Sequence, residues 1–369
     1  MGHRLPWWRH LHIDLQLLAA LVVLSGAGLL VLYSASGAHW PTIQRQASYL
    51  GVGLVAMFGI AQLDPATLRR WAILAYASGL VLLLWVLVAG DDAKGATRWV
   101  DLKVLRFQPS ELMKLATPLL AARILADEPL PLSGAATLKV IAVAVLPAAL
   151  IVVQPDLGSA LLIGASGLFA LFLGGLRWRW MGSAALAAAV CAPLAWLGLR
   201  DYQRQRILTL FDPEADPLGA GWNIIQSKIA IGSGGLHGKG WLQGTQSHLD
   251  FLPEGHTDFI FAVLAEEFGL VGILALFGLY WWLIARGLWI SAQAPVLFQR
   301  LLAGCITLTF FVYVFVNIGM VCGLLPVVGV PLPLMSQGGT SLVTLLAGFG
   351  MLMSIRTHQN PLSNPYAHA

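Results

Sequence analysis

Long apolar runs follow one another along almost the whole chain, and they restrict its fold more than any other feature. Of the 369 residues, 57% are hydrophobic and only 11% carry a charge. Soluble domains carry about 25% charged residues, so this composition places most of the chain in lipid. Runs of about 17–25 apolar residues cross a bilayer as helices. The sequence therefore predicts an all-α polytopic membrane protein that forms one integral membrane domain over residues 1–369.

Ten of these runs are predicted to span the membrane. The fourth is the least apolar, because it contains Glu111 and Lys114. The fifth and sixth are separated at the string QPD at 154–156, since proline disfavours helix in the residue before it and fits the first turn of a new helix. The alternative, one kinked helix, would be too long for a single crossing. The predicted spans are 15–34, 47–63, 71–90, 109–126, 138–153, 157–175, 180–199, 258–285, 300–322 and 338–355.

Basic residues predict the orientation of these spans, because cytoplasmic loops are enriched in lysine and arginine. With a cytoplasmic N-terminus, every inner connection contains at least one basic residue, and both termini are cytoplasmic. The polar segment 200–257 is then one large extracytoplasmic loop between helices 7 and 8. Two outer segments nevertheless hold basic clusters, which indicates an anionic partner on that side. The clusters are Lys94, Arg98, Lys103 and Arg106, and Arg200, Arg204, Arg206, Lys228 and Lys239.

Charged side chains within predicted spans are the first candidates for function. Glu111 and Lys114 are three residues apart and therefore share a helix face. Glu111 after Pro109 also fits the first turn of a helix, where the helix dipole favours an anion. Lys114 lies about one turn farther into the span. Its candidate partners are Glu111, Asp156 and Asp258.

Asp156 and Asp258 open the sixth and eighth predicted spans. Each alone fits a helix N-cap or a first-turn acid, worth about 1 kcal/mol. In the predicted topology, however, both lie at the outer ends of their helices, as do Glu111, Lys114 and Ser336. The sequence therefore predicts a site that opens to the outer surface of the membrane.

Two other polar features allow both a structural and a functional interpretation. Glu266 and Glu267 follow Asp258 by about two turns, either as a pair satisfied inside the helix bundle or as a proton path. The glycine-rich string GSGGLHGKG at 232–240 could hold phosphate with its backbone N–H groups. It is not a Walker loop, because no strand precedes it.

An acid, a lysine and a basic outer surface at headgroup depth suit an anionic, lipid-linked substrate. Arginine and lysine would bind a diphosphate, and a carboxylate could act as general base on a sugar hydroxyl. The net charge of +4 needs no nucleic acid to explain it, because basic residues lie at lipid headgroups in membrane proteins. No organic cofactor is expected, and the metal ligands, if any, are unknown.

Several long strings resemble the SEDS (shape, elongation, division and sporulation) family. They are RFQPSE at 106–111 followed by Lys114, QPDLG at 154–158, FLPEGHTDFI at 251–260, and NIG at 317–319 with LPVVGVPLP at 325–333. The resemblance runs through nearly the whole chain. The strings at 219–235 and 317–331 are similar to those of the family's elongation members rather than its division members.

The resemblance implies a peptidoglycan glycosyltransferase that polymerises lipid II at the outer face of the cytoplasmic membrane during cell elongation, releasing undecaprenyl diphosphate. The family's essential aspartate matches Asp258, the expected general base, and its fourth-helix acid and lysine match Glu111 and Lys114. The family also implies a divalent cation (Mg²⁺ or Mn²⁺). Its expected partners are a class B penicillin-binding protein, which is the transpeptidase, and other membrane proteins of the elongation complex. The candidate substrate-binding residues are Arg98, Arg106, Asp156, Lys239 and Ser336.

The chain departs from the family pattern in one turn, and two functions other than glycosyl transfer are possible for such a membrane protein. The family usually has SYGGS where this chain has SQGGT at 336–340, so Gln337 replaces the tyrosine while the two glycines of the turn are kept. A lipid II flippase would use the same basic loops, but it needs a polar route from the inner side, and the inner halves of the spans are apolar. A membrane scaffold would leave Lys114 and the outer acids unexplained.

Overall fold

The structure is a computed structural model. The described residues are 11–89, 91–93, 96–101, 106–129, 132–177, 201–215, 220–248 and 254–358, together with isolated positions between 179 and 197.

Most of the described residues are helical. The helices are α1 (Leu15–Ala35), α2 (Trp40–Ala61), α3 (Pro65–Ala89), α4 (Pro109–Ala126), α5 (Gly134–Val153), α6 (Leu157–Leu173), α7 (Asp201–Phe211), α8 (Ala220–Ser233), α9 (Thr245–His248), α10 (Ile260–Gln293), α11 (Leu297–Val321) and α12 (Gly339–Thr357). A 3₁₀ turn follows α7 at Pro213–Ala215.

The chain folds as a polytopic helical membrane protein. Within the described residues, six helices are long and apolar enough to cross a bilayer, namely α1, α3, α5, α10, α11 and α12. The shorter α6 is also apolar. The seventh predicted span, 180–199, lies largely outside the described residues, so the number ten stays a prediction.

Local signals in the sequence explain where several helices begin. Asp14 caps α1, its Oδ1 accepting the N–H groups of Gln16 and Leu17 at 3.1 Å each. Pro109 occupies the first turn of α4. The helix break around Pro155 is present, because α5 ends at Val153 and α6 begins at Leu157.

A short sheet that the sequence did not predict lies between α3 and α4. Strand β1 (Asp91–Ala93) pairs antiparallel with β2 (Ala96–Asp101), which pairs antiparallel with β3 (Arg106–Phe107). The described part of segment 91–108 therefore forms a sheet immediately before Pro109.

The described part of the polar segment 200–257 is largely helical, because α7, α8 and α9 all lie within it. Their sequences lack the continuous apolar runs that indicate membrane spans. They do contain good helix formers, such as the glutamines, arginines and leucines of α7. The assignment of this segment as a single extracytoplasmic loop between two spans stays a prediction.

Helix α10 is broken at Gly269, which has φ of +62° inside an otherwise helical segment. The glycine-rich segment 234–240 packs its backbone against this break. The N–H groups of Lys239 and Gly240 donate to the carbonyls of Glu266 and Glu267 at 3.0 Å each, and that of Leu270 donates to the Gly235 carbonyl at 3.0 Å. The segment therefore satisfies main-chain groups that the break exposes.

The two ends of the helix bundle differ in their side chains. At one end, the N-termini of α4, α6 and α10 meet the C-terminus of α11, with Asp156 and Asp258 among them. The other end is rich in arginine. There Arg286 pairs with Asp14 at 2.6 Å, and Arg123 donates to the carbonyls of Arg69 and Arg70.

Candidate active site

Lys114 lies inside the bundle and has two described partners. Its Nζ is 2.7 Å from Glu111 Oε1, and it also donates a hydrogen bond to the hydroxyl of Tyr313 on α11. All three side chains are buried. Of the three candidate partners, Glu111 forms an ion pair with Lys114, as the three-residue spacing allows. A buried pair of this kind holds both charges in one geometry, because separating them would leave an unpaired charge in apolar surroundings.

Asp156 caps α6 and lies near the charged pair. Its Oδ1 accepts the Ser159 N–H at 3.1 Å, and its Oδ2 accepts the Gln108 amide at 2.9 Å. It also interacts electrostatically with Lys114. The N-cap interpretation of Asp156 is confirmed, but this cap also joins the start of α6 to the start of α4.

Asp258 lies in the turn 254–259, immediately before α10, and it is partly exposed. Phe259, and not Asp258, is the N-cap of α10. The main-chain carbonyl of Asp258 accepts the Asn317 amide at 2.8 Å, and the same amide donates to the Val330 carbonyl at 2.7 Å. A single buried asparagine therefore fixes the turn that bears Asp258 against the segment before α12.

Segment 323–338 packs close to both Asp156 and Asp258. At Gly329, with φ of +74°, an added Cβ would lie 3.5 Å from Asp258 Oδ2. At Gly158, two residues after Asp156, an added Cβ would lie 2.7 Å from Val330. The segment therefore passes closely between the turn of Asp258 and the start of α6.

Ser336 lies in the same segment and is buried. Its Oγ accepts the Leu332 N–H at 2.8 Å, and its carbonyl accepts the Gln46 amide at 3.0 Å. The next residue, Gln337, donates its main-chain N–H to the His256 carbonyl at 3.0 Å. Any residue except proline can supply that N–H, so glutamine can replace the family's tyrosine without losing this link to the turn of Asp258.

Helix α11 brings Lys114 and Asp258 to one face of the bundle. Tyr313, which binds Lys114, and Asn317, which binds the Asp258 carbonyl, are four residues apart and lie on the same helix face. The two contacts are separated by about 6 Å along the helix axis. The charged pair thus lies about one turn deeper than the Asp258 turn.

Lys239 belongs to a different cluster. Its Nζ lies 2.6 Å from Glu266 Oε1 and 2.8 Å from Thr245 Oγ1, and the Thr245 N–H also reaches Glu266 Oε1 at 2.8 Å. Glu267 accepts a hydrogen bond from Ser34. These contacts confirm the structural interpretation for Glu266, which is paired and hydrogen-bonded inside the bundle, and they support it for one carboxylate oxygen of Glu267. A contact between Lys239 and substrate stays a prediction.

The glycine string at 232–240 is explained by packing rather than by phosphate. The N–H groups of Gly238, Lys239 and Gly240 donate to main-chain carbonyls. At Gly238, with φ of +78°, an added Cβ would lie 2.1 Å from the Glu267 carbonyl oxygen. These three N–H groups are therefore unavailable to a ligand, which disfavours the phosphate interpretation.

The remaining sequence-predicted residues lie on the sheet. Arg98 is in β2 and Arg106 is in β3, where the main chain of Arg106 lies opposite that of Asp101 in the strand register. Their side chains lie outside the described part of the structure. In the described ranges, no three His, Cys, Asp or Glu side chains come together as a metal site.

Sequence reasoning missed Tyr313 and Gln108 as parts of the site. A signal for Tyr313 was present, because Thr309, Tyr313 and Asn317 recur every four residues in an apolar span. Gln108 appears in a recognised string, but its pairing with Asp156 joins elements 48 residues apart. Such a pairing depends on how α4 and α6 pack.

Fold and site together define a class: a polytopic helical membrane protein with a buried acid–lysine–tyrosine cluster beneath a partly exposed aspartate. The model of the FtsW, RodA and SpoVE family, described as cell cycle protein, matches residues 9–361. The chain therefore belongs to this family, which is the SEDS family.

Relatives match over nearly the full length. The peptidoglycan glycosyltransferase MrdB of Escherichia coli K12 is 53% identical over 358 residues, 97% of each chain. A probable peptidoglycan glycosyltransferase FtsW of Trichlorobacter lovleyi is 36% identical, covering 93% of this chain and 92% of its own.

Solved structures share the fold. A chain of a peptidoglycan synthase complex, described for the structural coordination of polymerization and crosslinking, matches with a TM-score of 0.83 and 34% identity, over 94% of this chain and 99% of that one. The rod shape determining protein RodA of Thermus thermophilus matches with a TM-score of 0.71 and 31% identity, over 94% and 98%.

Proposed function

We propose that this chain is a peptidoglycan glycosyltransferase that polymerises lipid II into glycan strands during cell elongation. The observation that carries the proposal is 53% identity to the glycosyltransferase MrdB over 97% of both chains. The cluster of Glu111, Lys114 and Tyr313 below Asp258 supplies charged groups suited to an anionic lipid substrate.

The proposed topology has ten spans in the cytoplasmic membrane, both termini in the cytoplasm, and Asp258 at the extracytoplasmic side. The arginine-rich end of the bundle supports this orientation, because basic residues favour the cytoplasmic side. This end contains Arg69, Arg70, Arg123, Arg286 and Arg300.

Asp258 is the proposed general base. Its carboxylate takes the proton of the acceptor sugar hydroxyl while the new glycosidic C–O bond forms and the C–O bond to undecaprenyl diphosphate breaks. The buried pair of Lys114 and Glu111 places fixed charge one turn below, where water is excluded and electrostatic effects are stronger than in solution. Tyr313 and Asn317 act as positioning residues for the pair and for the Asp258 turn.

The diphosphate needs positive charge as it leaves. Arg98 and Arg106, on the sheet beside α4, are the proposed contacts. Lys239 has one of its three ammonium donors left after binding Glu266 and Thr245, and that donor could meet an anion. Asp156 and Ser336 shape the wall of the same opening.

The divalent cation expected for the family would neutralise the diphosphate. Mg²⁺ usually binds one or two carboxylates plus substrate phosphates rather than an all-protein cage. The described residues fit that mode, since Asp156 and Asp258 flank one segment and no three His, Cys, Asp or Glu residues in the described ranges form a metal site. The cation would therefore bind together with the substrate.

The proposed partner is a class B penicillin-binding protein that crosslinks the strands as they form, within a complex of other elongation membrane proteins. The structural match to a chain of a synthase complex that coordinates polymerization and crosslinking supports this pairing.

Polymerisation of lipid II by the purified chain with its transpeptidase partner tests the proposal. Asp258→Asn should abolish polymer while the protein still inserts and binds its partner. Asp212→Asn is the matched control. Asp212 is exposed, and its described hydrogen bond runs from its main-chain N–H to the Leu208 carbonyl at 3.0 Å, which asparagine keeps. Full polymer yield from Asp258→Asn would refute the assigned base.

The same protein in liposomes tests the flippase alternative. Beyond Lys114, a small cavity is lined largely by apolar side chains such as Leu283, Ile306 and Phe349. This lining disfavours a polar transport route. Movement of lipid II across the bilayer without polymer formation would favour transport over synthesis.

A further inference from the structure

A second polar cavity opens at the arginine-rich end of the bundle, far from Asp258. It has a volume of about 360 Å³ and lies between the first turn of α3, the last turn of α4 and the start of α11. Its charged lining consists of Arg69, Arg70, Arg123, Asp64 and Asp127. No step of the proposed reaction uses this cavity.

Part of the hydrogen-bonding capacity of the three arginines in the cavity is unused by the protein. Arg69 is neutralised by Asp127. Nη1 of Arg123 donates to the carbonyls of Arg69 and Arg70 at 2.8 and 3.1 Å, which fixes the guanidinium in place. Within the described residues, its Nε and Nη2 meet no acceptor, and neither does the Arg70 side chain. Two guanidinium groups therefore face the cavity with donors to spare.

The start of α11 adds to the positive electrostatic potential of the cavity. Its N-cap, Val296, provides no side-chain hydrogen bond, so the first N–H groups of the helix are uncapped beside the cavity. A helix N-terminus beside arginines favours phosphate. Gln299 lines the same cavity, and its buried Oε1 has no donor in the described structure. A ligand that carries both a phosphate and a hydroxyl would satisfy all of these groups.

The surroundings match the level of lipid headgroups. Trp71 follows Arg70 and is 58% exposed, as is typical of tryptophans at a membrane interface. Ile73 and Leu74 are exposed farther along α3, where acyl chains could lie. Basic pockets between helices at a membrane surface bind anionic headgroups.

We propose that this cavity binds the phosphate of an anionic, hydroxyl-bearing phospholipid such as phosphatidylglycerol. Arg70 and Arg123 bind the phosphate, the start of α11 supports its charge, and Gln299 accepts a headgroup hydroxyl. The bound lipid would connect α3, α4 and α11 at the end of the bundle opposite Asp258.

Lipid retention measured by native mass spectrometry tests this site. The purified full chain is reconstituted in nanodiscs of phosphatidylglycerol or of phosphatidylcholine and then released into detergent. The wild type should retain one phosphatidylglycerol, and the retained fraction should fall at least about tenfold in Arg70→Gln/Arg123→Gln, equivalent to about 1.4 kcal/mol. Arg45→Gln removes an exposed arginine of α2 as the matched control and should retain lipid like the wild type.

Arg70→Gln alone keeps the Arg123 contacts and guards against misfolding of the double variant. It should lower retention of the anionic lipid without changing the unfolding temperature in phosphatidylcholine. The proposed site is wrong if the variants retain as much phosphatidylglycerol as the wild type. It is also wrong if the wild type retains as much phosphatidylcholine as phosphatidylglycerol. Soluble glycerol 3-phosphate at millimolar concentration should not displace the lipid. Full displacement by it would assign the cavity to a free phosphate ester and overturn the lipid assignment.

Discussion

Tyr313 and Asn317 are one turn apart on the same face of α11, and they hold the two halves of the candidate site. Tyr313 accepts a hydrogen bond from Lys114, and Asn317 donates to the main-chain carbonyl of Asp258. One rigid helix therefore sets the spacing between the buried charged pair and the turn that bears the proposed base.

Tyr313→Phe removes a hydroxyl from Lys114 and keeps the ring. We expect the free energy of unfolding to fall by about 1–2 kcal/mol, since the ammonium loses one buried hydrogen bond. Polymerisation should slow about tenfold if a similar amount of transition-state stabilisation is lost. The measurements are thermal unfolding and kcat on lipid II. Tyr76→Phe removes a buried hydroxyl that donates to the Val143 carbonyl, so it should lower stability without lowering kcat. Equal kcat losses in both variants would contradict the positioning role of Tyr313.

Asn317→Asp replaces an amide donor by a carboxylate facing two carbonyl oxygens. The buried contacts to Asp258 and Val330 are lost and repulsion takes their place, so we expect a loss of about 2–4 kcal/mol in stability. Polymerisation activity should fall by more than the loss of folded protein accounts for, because the Asp258 turn is no longer held by residue 317. Asn317→Ala removes the donor without adding charge, so its stability should lie between those of the wild type and Asn317→Asp. Wild-type polymer yield from the aspartate variant would contradict this arrangement.

The Lys114–Glu111 pair predicts a strong coupling between the two residues. Lys114→Met should destabilise the protein by about 3–5 kcal/mol, because it leaves a buried carboxylate without its cation. Lys114→Met/Glu111→Gln should be more stable than Lys114→Met, while both variants are inactive. A double-mutant cycle of unfolding free energies measures this coupling. Additive losses would show that the two side chains do not pair.

The glycine string is predicted to act through packing. Gly238→Ala should cost about 2–5 kcal/mol, since a Cβ would lie 2.1 Å from the Glu267 carbonyl oxygen and φ is +78°. Gly232→Ala is the matched control, because nothing lies within 4 Å of its added Cβ and the residue is helical. It should leave stability unchanged or raise it by up to about 1 kcal/mol. Differential scanning fluorimetry compares the two variants. Normal stability with lost activity in Gly238→Ala would instead support a phosphate-binding role.

Removal of divalent cations should stop polymerisation without unfolding the protein. The described residues contain no cluster of three acids or histidines, so the cation depends on substrate phosphates for most of its ligands. Chelation by EDTA should therefore abolish polymer, and added Mg²⁺ should restore it. The unfolding temperature of the substrate-free protein should be the same in EDTA and in Mg²⁺. A large shift would reveal a preformed protein site.

The sequence by itself determined the parts of this protein that depend on neighbouring residues. Long apolar runs indicated a helical membrane protein, Pro109 predicted the start of α4, and a three-residue spacing placed Glu111 beside Lys114. These features follow from hydropathy, proline geometry and helix periodicity, which act within a single helix.

Only the tertiary structure decided which distant groups meet. Tyr313 reaches Lys114 across 199 residues, and the string at 234–240 packs into the break of α10 at Gly269. The same glycines would suit a phosphate loop or a close packing of two backbones, and local patterns do not distinguish the two. Helix packing decides between them, because a buried N–H must find an acceptor wherever the fold places it.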